Sequence, residues 1–586
     1  MWPTALPSDP PIRPDWRRID KASDRKVIFG FKGLAALPLC RSGRCHNRWS
    51  GNNLGAGMAV IQAVIDPKRD RLVIFASTLG TVFEWYDFFV YGTLANIVAG
   101  HFFPSDNPAV SFLIFLASFG VGFGMRPLGA LLFGVLGDKL GRKYTFLVTI
   151  AMMGVATAAV GALPTYESIG VAAPILLVAC RVLQGLALGG EYGGAAIYVA
   201  EHAPRHRRGF YTSFIQAGVI GGFLLSLMVV LVSNLFVDEA AFKAWGWRIP
   251  FLFSLLLLAV SLWVRLKLKE SPVFKAMKDA GETAKNPLKE SFGSWAKVRL
   301  LLVALFGIAA GLTVIWYTAQ FQALYFLQNA LRIEDTPARL IVGAGAVCSL
   351  FWFVLFGWLS DKVGRKKPIV IGYALTIVLL FPLFHLMAQA ANPGLADAMV
   401  RAPVVVAGSD CSYDPFATKG QATACGRVLD ALSKKGVAYS KIAGQPGAAP
   451  IVEIGGKVVD SSNAAALDAG LKAAGYDLAK ITPSLGSALK IVLAIVAIGF
   501  LSGMTYGPVA ALLVELFPAR VRYTSMSVPY HIGTGYFGGF LPFISQFMVA
   551  KTGDPFAGLW YTIGVVALAL VVTLVGLPET SGKELD

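Results

Sequence analysis

Apolar residues in this chain gather into twelve runs, each near or above the roughly 20 residues that cross a bilayer core as helix, with polar stretches between them. The runs cover about 72–100, 109–136, 143–163, 172–200, 210–236, 248–268, 298–328, 337–360, 367–390, 488–514, 521–550 and 556–577. Six precede the polar stretch 270–297 and six follow it. The pattern therefore predicts a first half over 66–269, a linker over 270–297, and a second half made of 298–390 and 488–577, with a short tail at 578–586. Two segments stand apart. Residues 1–65 are rich in Pro and Arg and hold no run long enough to span, which predicts a disordered extension; Met58 is an alternative start. Residues 391–487 interrupt the second half. Strand-like patterns at Pro403–Ala407 and Pro450–Val459, the latter turning on Gly455-Gly456, alternate there with helical patterns at Arg427–Lys435 and Ala464–Ala474, which reads as a small α/β module. The expected fold is an all-α polytopic membrane protein: twelve transmembrane helices in two pseudo-symmetric six-helix halves, with an α/β insertion.

Composition agrees with that class, since 55% apolar residues, 15% charged residues and a mean hydropathy of +0.61 do not describe a soluble globule. A net charge of +17 would suggest nucleic acid as a partner for a soluble protein. Here the cations concentrate in alternate loops, at Lys139, Arg142 and Lys143, at Arg205, Arg207 and Arg208, at Lys362, Arg365 and Lys366, and at Arg520 and Arg522. The intervening loops carry Asp106, Glu167, Asp238, Glu239, Glu334 and Asp335. The positive-inside rule then sets both termini in the cytoplasm, sets the 391–487 module outside, and replaces nucleic acid by the lipid bilayer as partner. A monomer in a bacterial-type inner membrane is expected. Cys40, Cys45 and His46 offer too few ligands for a zinc site, and no metal is expected. Cys411 and Cys425 fall in the external module, where an oxidising milieu favours a disulfide between them. The chain has no Ser-His-Asp set, metal-ligand cluster or P-loop, so neither an enzyme nor a cofactor is expected.

Candidate chemistry lies in polar residues inside the apolar runs. Glu84 and Asp87, three apart, share one helical face near mid-membrane. An ionised group there costs about 2.5–3.5 kcal/mol on insertion scales, so such acids normally face a wet cavity and mark an ion or substrate path. They are the candidate proton carriers, together with Glu191. Arg126 and Arg181 are cations in the second and fourth runs, suited either to an anionic substrate or to an ion pair with these acids. Gln184, Tyr317, Gln320, Gln322 and Tyr325 complete a candidate cavity lining.

One loop is written twice. Gly134-Val-Leu-Gly-Asp138-Lys-Leu-Gly141-Arg142-Lys143 recurs as Gly357-Trp-Leu-Ser-Asp361-Lys-Val-Gly364-Arg365-Lys366 at the same place in each half. Gly permits tight turns, Asp can cap a neighbouring helix, and Arg can pair with acids or phospholipid, so these residues are candidate latches for alternating access.

Both loops resemble the signature of the major facilitator superfamily. Gly80-Thr-Val-Phe-Glu84-Trp-Tyr-Asp87, Met125-Arg126-Pro127, Arg181-x-x-Gln184-Gly, Trp245-Gly-Trp-Arg248-Ile-Pro-Phe and Glu515-Leu-Phe-Pro-x-Arg-Val-Arg522-Tyr are similar to motifs of its metabolite:proton symporters, in order, over about 70–580. The resemblance implies proton-driven uptake of a small metabolite, with an organic acid such as a dicarboxylate or oxo-acid as first expectation and a zwitterion such as proline or betaine as the alternative. It also marks Arg142, Arg248 and Arg522 as sensitive positions. Glu270-Ser-Pro-Val-Phe and Pro578-Glu-Thr-Ser-Gly resemble loop motifs of sugar transporters in the same superfamily. A membrane sensor that binds metabolite through the external module is the rival from another class.

Overall fold

The computed structural model describes residues 67–140, 142–190, 192–266, 287–418, 420–445, 447–461, 463–518 and 521–585, all in the second of two compact units, 65–586. The expected extension with Met58, Cys40, Cys45 and His46, much of the linker, Gly141 and Glu191 lie outside the described residues, as do the side chains of Asp138 and Arg142 and the burial of Gly134.

The apolar runs fold as helices, several of them broken where Gly, Pro or a polar residue interrupts the pattern. In the first half these are α1 (Pro67–Thr93), α2 (Ala95–Phe102), α3 (Pro108–Gly124), α4 (Arg126–Leu140), α5 (Arg142–Ala162), α6 (Ala172–Gly189), α7 (Tyr192–His202), α8 (Arg208–Phe236) and α9 (Arg248–Leu266). The second half opens with α10 (Trp295–Ala330), α11 (Asp335–Val363) and α12 (Lys366–Ala391). After the insertion come α16 (Leu485–Tyr506), α17 (Val509–Leu516), α18 (Arg522–Ile532), α19 (Leu541–Thr552) and α20 (Leu559–Gly576). Local chemistry fixes the starts: Pro108 takes a first-turn position whose N–H would have no partner, and the Asn107 side chain accepts the Ala109 N–H. Within α10, a turn of wider π geometry at Thr318–Gln322 carries Gln320 and Gln322, while Tyr317 and Tyr325 lie in the α-helical turns that flank it.

Among the described residues eight helices are long and apolar enough to cross a membrane, and nine if the bent pair Glu239–Gly246 and Arg248–Trp263 is one span. The runs at 72–100, 143–163 and 521–550 fall short of that measure. The 143–163 run contributes the shorter apolar helix Leu147–Ala162, and the 521–550 run is interrupted by Ser525, Ser527, His531 and a string of glycines. Val155, Ile175, Leu255, Val378 and Leu489 are half or more exposed on the outside of the bundle, an apolar exterior suited to hydrocarbon. Close packing between helices rests on small residues: a Cβ at Gly185 of α6 would collide with the Gly122 carbonyl of α3.

The insertion has its own core. It comprises α13 (Pro393–Arg401), β1 (Val404–Gly408), α14 (Ala424–Lys434), β2 (Ser440–Ala443), β3 (Ile451–Ile454), β4 (Lys457–Val459) and α15 (Ala464–Ala473). Its sheet runs β2-β1-β3-β4, with β1 parallel to β2 and the other pairs antiparallel. Val404, Val406, Leu429, Leu432, Val452, Ile454, Leu467 and Leu471 fill the space between sheet and helices. Gly455 and Gly456 take φ of 57° and 78° between Ile454 and Lys457, the double positive-φ turn that joins a two-residue hairpin.

Candidate functional site

The duplicated loop meets its structural partner at one end of the bundle. Asp361, in the last turn of α11, accepts the Gly209 and Phe210 N–H groups at 2.8 and 2.9 Å, and so caps α8 of the opposite half. Gly357 lies where α11 touches α8, and a Cβ there would stand 2.5 Å from Ser213 Cβ. Gly364 adopts φ of +97°, which favours glycine, and turns the chain so that Arg365 points back inward. Arg365 Nη1 donates to Asp361 at 2.7 Å, while Nε and Nη2 fork onto Glu515 at 3.1 and 3.0 Å. Glu515 also accepts from Arg208 of the first half at 2.9 Å and from the Thr580 hydroxyl at 3.0 Å. Burial pulls the Arg365 pKa down, but Glu515 and Asp361 outweigh it and hold the guanidinium above its ordinary value.

A second ion pair crosses the halves in the reverse sense. Arg522 at the start of α18 stands 3.5 Å from Glu201 of α7 and donates to the Val514 and Phe517 carbonyls at 2.9 and 3.0 Å. Glu201 and Arg208 are seven residues apart, and so are Glu515 and Arg522. The two pairs are therefore the exchanged products of one duplicated acid-to-arginine spacing. Sequence reasoning found the loop repeat and missed this one, although the matched spacing was the signal for it.

Deeper in the bundle, Arg126 and Arg181 are fully buried. The three guanidinium nitrogens of Arg126 have no hydrogen-bond partner, nor do Nε and Nη2 of Arg181. Arg126 lies 5.2 and 5.6 Å from the Trp85 and Phe123 rings, with the Tyr192, Tyr317, Tyr506 and Tyr530 hydroxyls within electrostatic range. Tyr192 stacks on Tyr530 at 3.9 Å, and both His531 ring nitrogens, the Tyr317 hydroxyl and Gln320 Oε1 are buried without partners. So many orphaned donors and acceptors within one helix bundle is uncommon in a native interior, where buried polar groups pair. Arg181 packs on Phe88 and Tyr91 at 4.2 and 4.3 Å and donates to Gln184 at 2.6 Å; Gln184 donates to Thr157 at 2.6 Å.

The acids are elsewhere. Asp87 accepts from Ser254 at 2.5 Å, and with Glu84 it lines a crevice of about 10 Å³ among Phe83, Ile150, Met153, Leu257, Leu258 and Ser261. That holds roughly one water. The expected wet cavity does not reach them in this conformation, because the face of α1 that carries both acids turns toward α5 and α9 inside the first half. No ion pair joins Asp87 to Arg126 or Arg181 among the described residues. One long contact connects the two regions: Thr157 Oγ1, whose proton goes mainly to the Met153 carbonyl at 2.9 Å, also stands 3.4 Å from the Asp87 carbonyl, which brings the chain Arg181, Gln184, Thr157 up to the backbone of the acid.

The large cavity, of about 930 Å³, opens at the other end of the bundle, between helix ends and insertion. Gln322 and Tyr325 line it with Asn96, Asn329, Lys480 and Tyr439. Gln322 is thus parted from Arg126 by an aromatic layer in which Phe321 packs against Phe89, Phe119 and Phe223 at 5.5, 5.7 and 5.2 Å. Arg248 is in neither place. It donates to the Gly161 and Leu163 carbonyls at 2.8 and 2.6 Å and closes the C-terminus of α5, a structural task.

The model for "Sugar (and other) transporter" matches residues 72–299 and 473–586, and that for "MFS/sugar transport protein" matches 194–440. The shikimate transporter of Escherichia coli (strain K12) is 39% identical over 55% of this chain and 74% of its own length. The inner membrane metabolite transport protein YhjE of the same organism is 30% identical over 86% of this chain and 93% of its own length. The Escherichia coli (strain K12) proline/betaine transporter is 38% identical over 55% of this chain, which spans 66% of that relative. A solved D-xylose-proton symporter, 18% identical, superposes with a TM-score of 0.56 over 88% of this chain and 99% of its own, which establishes the fold alone. The chain belongs to the sugar (and other) transporter family of the major facilitator superfamily.

Proposed function

We propose that this protein is a proton-coupled symporter for a small carboxylate-bearing osmolyte of the proline or betaine type, working by alternating access across a bacterial inner membrane. In this reading twelve spans form two six-helix halves, both termini and the duplicated loops face the cytoplasm, and the insertion lies outside. The observation that carries the substrate class is the unpartnered guanidinium of Arg126 inside a ring of aromatic side chains. A substrate carboxylate satisfies the guanidinium through a forked pair of charge-assisted bonds, while a quaternary or secondary ammonium rests on ring faces of Trp85, Tyr192 or Tyr530. Closed ion pairs at the duplicated-loop end and a cavity at the insertion end correspond to a state facing outward, occluded at the aromatic layer. Asp87 is the proton carrier: protonated, it rests in the small crevice beside Ser254; deprotonated, it needs water from a changed arrangement of α1, α5 and α9. The thread from Arg181 through Gln184 and Thr157 supports coupling between cargo and proton.

Arg181, a second cation with unpartnered nitrogens, favours an alternative cargo, a dicarboxylate or a shikimate-like acid. Proteoliposomes with an imposed inside-alkaline gradient, offered labelled proline, glycine betaine, shikimate, a dicarboxylate and xylose, decide between them. Concentrative uptake of a zwitterion supports the main reading; uptake of the acids alone selects the second; uptake indifferent to the gradient overturns both. Asp87→Asn is expected to abolish gradient-driven accumulation and keep exchange. Arg126→Ala is expected to weaken binding by about 30-fold or more, the ~2–5 kcal/mol of a truncated buried charge pair, while the melting temperature without substrate stays level or rises.

A further inference from the structure

The insertion is a β1-α14-β2-β3-β4-α15 unit whose two cysteines sit where the central strand hands over to its helix. Cys411 follows the end of β1 by three residues, and Cys425 is the second residue of the 11-residue α14, whose first turn is capped by Thr423. The two are joined, with Cα atoms 4.8 Å apart, over the Gly408 backbone, where a Cβ would stand 2.6 Å from Cys411 Sγ and 3.0 Å from Cys425 Sγ. In open α/β units this crevice, beyond the carboxyl ends of the parallel strands, is where ligands bind. The sulfurs differ: Cys425 is buried at the helix N-terminus, whereas Cys411 is partly accessible. A helix N-terminus stabilises a thiolate, so Cys425 is the better leaving group and Cys411 the sulfur open to attack.

The loop that this bond closes touches both halves of the bundle. The Tyr413 hydroxyl accepts from Asn107, which begins α3, at 3.3 Å, and the Tyr413 carbonyl accepts from Lys551, in α19, at 3.0 Å. The Phe416 ring lies 6.2 and 5.9 Å from Phe543 and Phe547 of α19, and the Thr418 carbonyl accepts from Ser105 at 3.4 Å. A single loop thus ties the first half to the second at the end where the large cavity opens.

We propose that the Cys411–Cys425 bond is a thiol-exchange site for external dithiols, and that opening it unties a strap which holds the two halves together at this end. The thiolate of the dithiol attacks Cys411 Sγ, a mixed disulfide forms, the bond to Cys425 breaks, and Cys425 leaves as thiolate and takes a proton. The second thiol of the reductant then attacks the mixed disulfide and releases Cys411, so that two electrons and two protons pass to the protein and the dithiol closes on itself. The exchange stands independently of the transport reading; its effect on uptake rests on that reading.

The test uses the full chain in proteoliposomes, treated with dithiothreitol without denaturant and then alkylated. Labelling of Cys411 and Cys425 in folded protein is expected; labelling only after denaturation overturns the exchange site. A distance measurement between probes on the outer ends of α3 and α19 is expected to broaden on reduction, and to be already broad and indifferent to reductant in the Cys411→Ser, Cys425→Ser variant. A distribution unchanged by reduction overturns the strap. Uptake is expected to change roughly fivefold or more, the low end of ordinary two-state coupling. If uptake is absent in both redox states while the distances shift, the transport reading fails and the strap survives. Should the double variant not fold, chemical reduction of the unaltered protein supplies the same comparison.

Discussion

The two ends of the bundle hold the halves together by opposite means. At the duplicated-loop end, Asp361, Arg365, Glu515 and Arg208 form a continuous charged network, with Glu515 fully buried and all its contacts between 2.9 and 3.1 Å. At the insertion end the ties are single hydrogen bonds and ring contacts, some between the halves directly, as from Asn96 to Gln328 and Asn329, and others supplied by a module that only one half possesses. A gene duplication gives each half the same acid and the same arginine, so reciprocal ion pairs arise at one end as a matter of symmetry. The other end inherits no such symmetry. Its closure is shared between contacts of the helices themselves and what was inserted there.

The sharpest way to break the comparison is Glu515→Ala. It strands two buried arginines, and the expected loss is ~3–5 kcal/mol, read as a lower thermal midpoint, together with faster alkylation of Ser213→Cys at the crossing of α8 and α11. A midpoint unchanged within error would mean the network is ornamental. Next is Asn107→Ala at the insertion end, which removes the cap of α3 and the 2.7 Å bond to Asp430. Its expected cost is ~1–3 kcal/mol, seen as weaker hydrogen-exchange protection of α14 with the charged end untouched. Glu201→Gln should cost less than Glu515→Ala, ~1–3 kcal/mol, because its pair with Arg522 is 3.5 Å long and Arg522 keeps the Val514 and Phe517 carbonyls as acceptors. A loss equal to that of Glu515 would show the two pairs to be equivalent after all.

The smallest effect concerns Glu579. Burial acts to raise its pKa, but the N–H groups of Arg365, Ser581, Lys366 and Thr580 outweigh that and hold it below 4.5. A depressed carboxyl contributes fully above its ordinary pKa and loses the contribution as pH falls through its lower folded value. Proteolysis of the 578–586 tail should therefore be flat from neutrality to mild acid, and should rise only below the ordinary carboxylate range. In Glu579→Gln it should be raised at neutral pH and should converge with the unaltered protein once the pH falls below that range.

Much of this was legible in the sequence because bilayers and turns impose local rules. The matched Gly, Asp and Arg offsets marked Asp361 as a candidate helix cap and Arg365 as a candidate partner for acids or phospholipid, and Gly455-Gly456 between apolar alternations announced the hairpin. Local rules were silent about direction. Glu84 and Asp87 share a helical face, yet nothing in their spacing says that this face turns toward Ile150 and Leu257 rather than toward Arg126. Arg126 and Gln322 were grouped by polarity in apolar runs, and the aromatic layer around Phe321 divides them.

By itself the sequence determined where helices lie, how the chain repeats and which charges sit at which end, since these follow from hydropathy and from a spacing copied twice. Only the tertiary structure decided that Glu515 binds arginines of both halves, that Arg126 has no partner, and that the insertion's disulfide loop touches α3 and α19. Those facts depend on helix rotation and on approaches between residues hundreds of positions apart, and a periodicity along one chain carries no term for either.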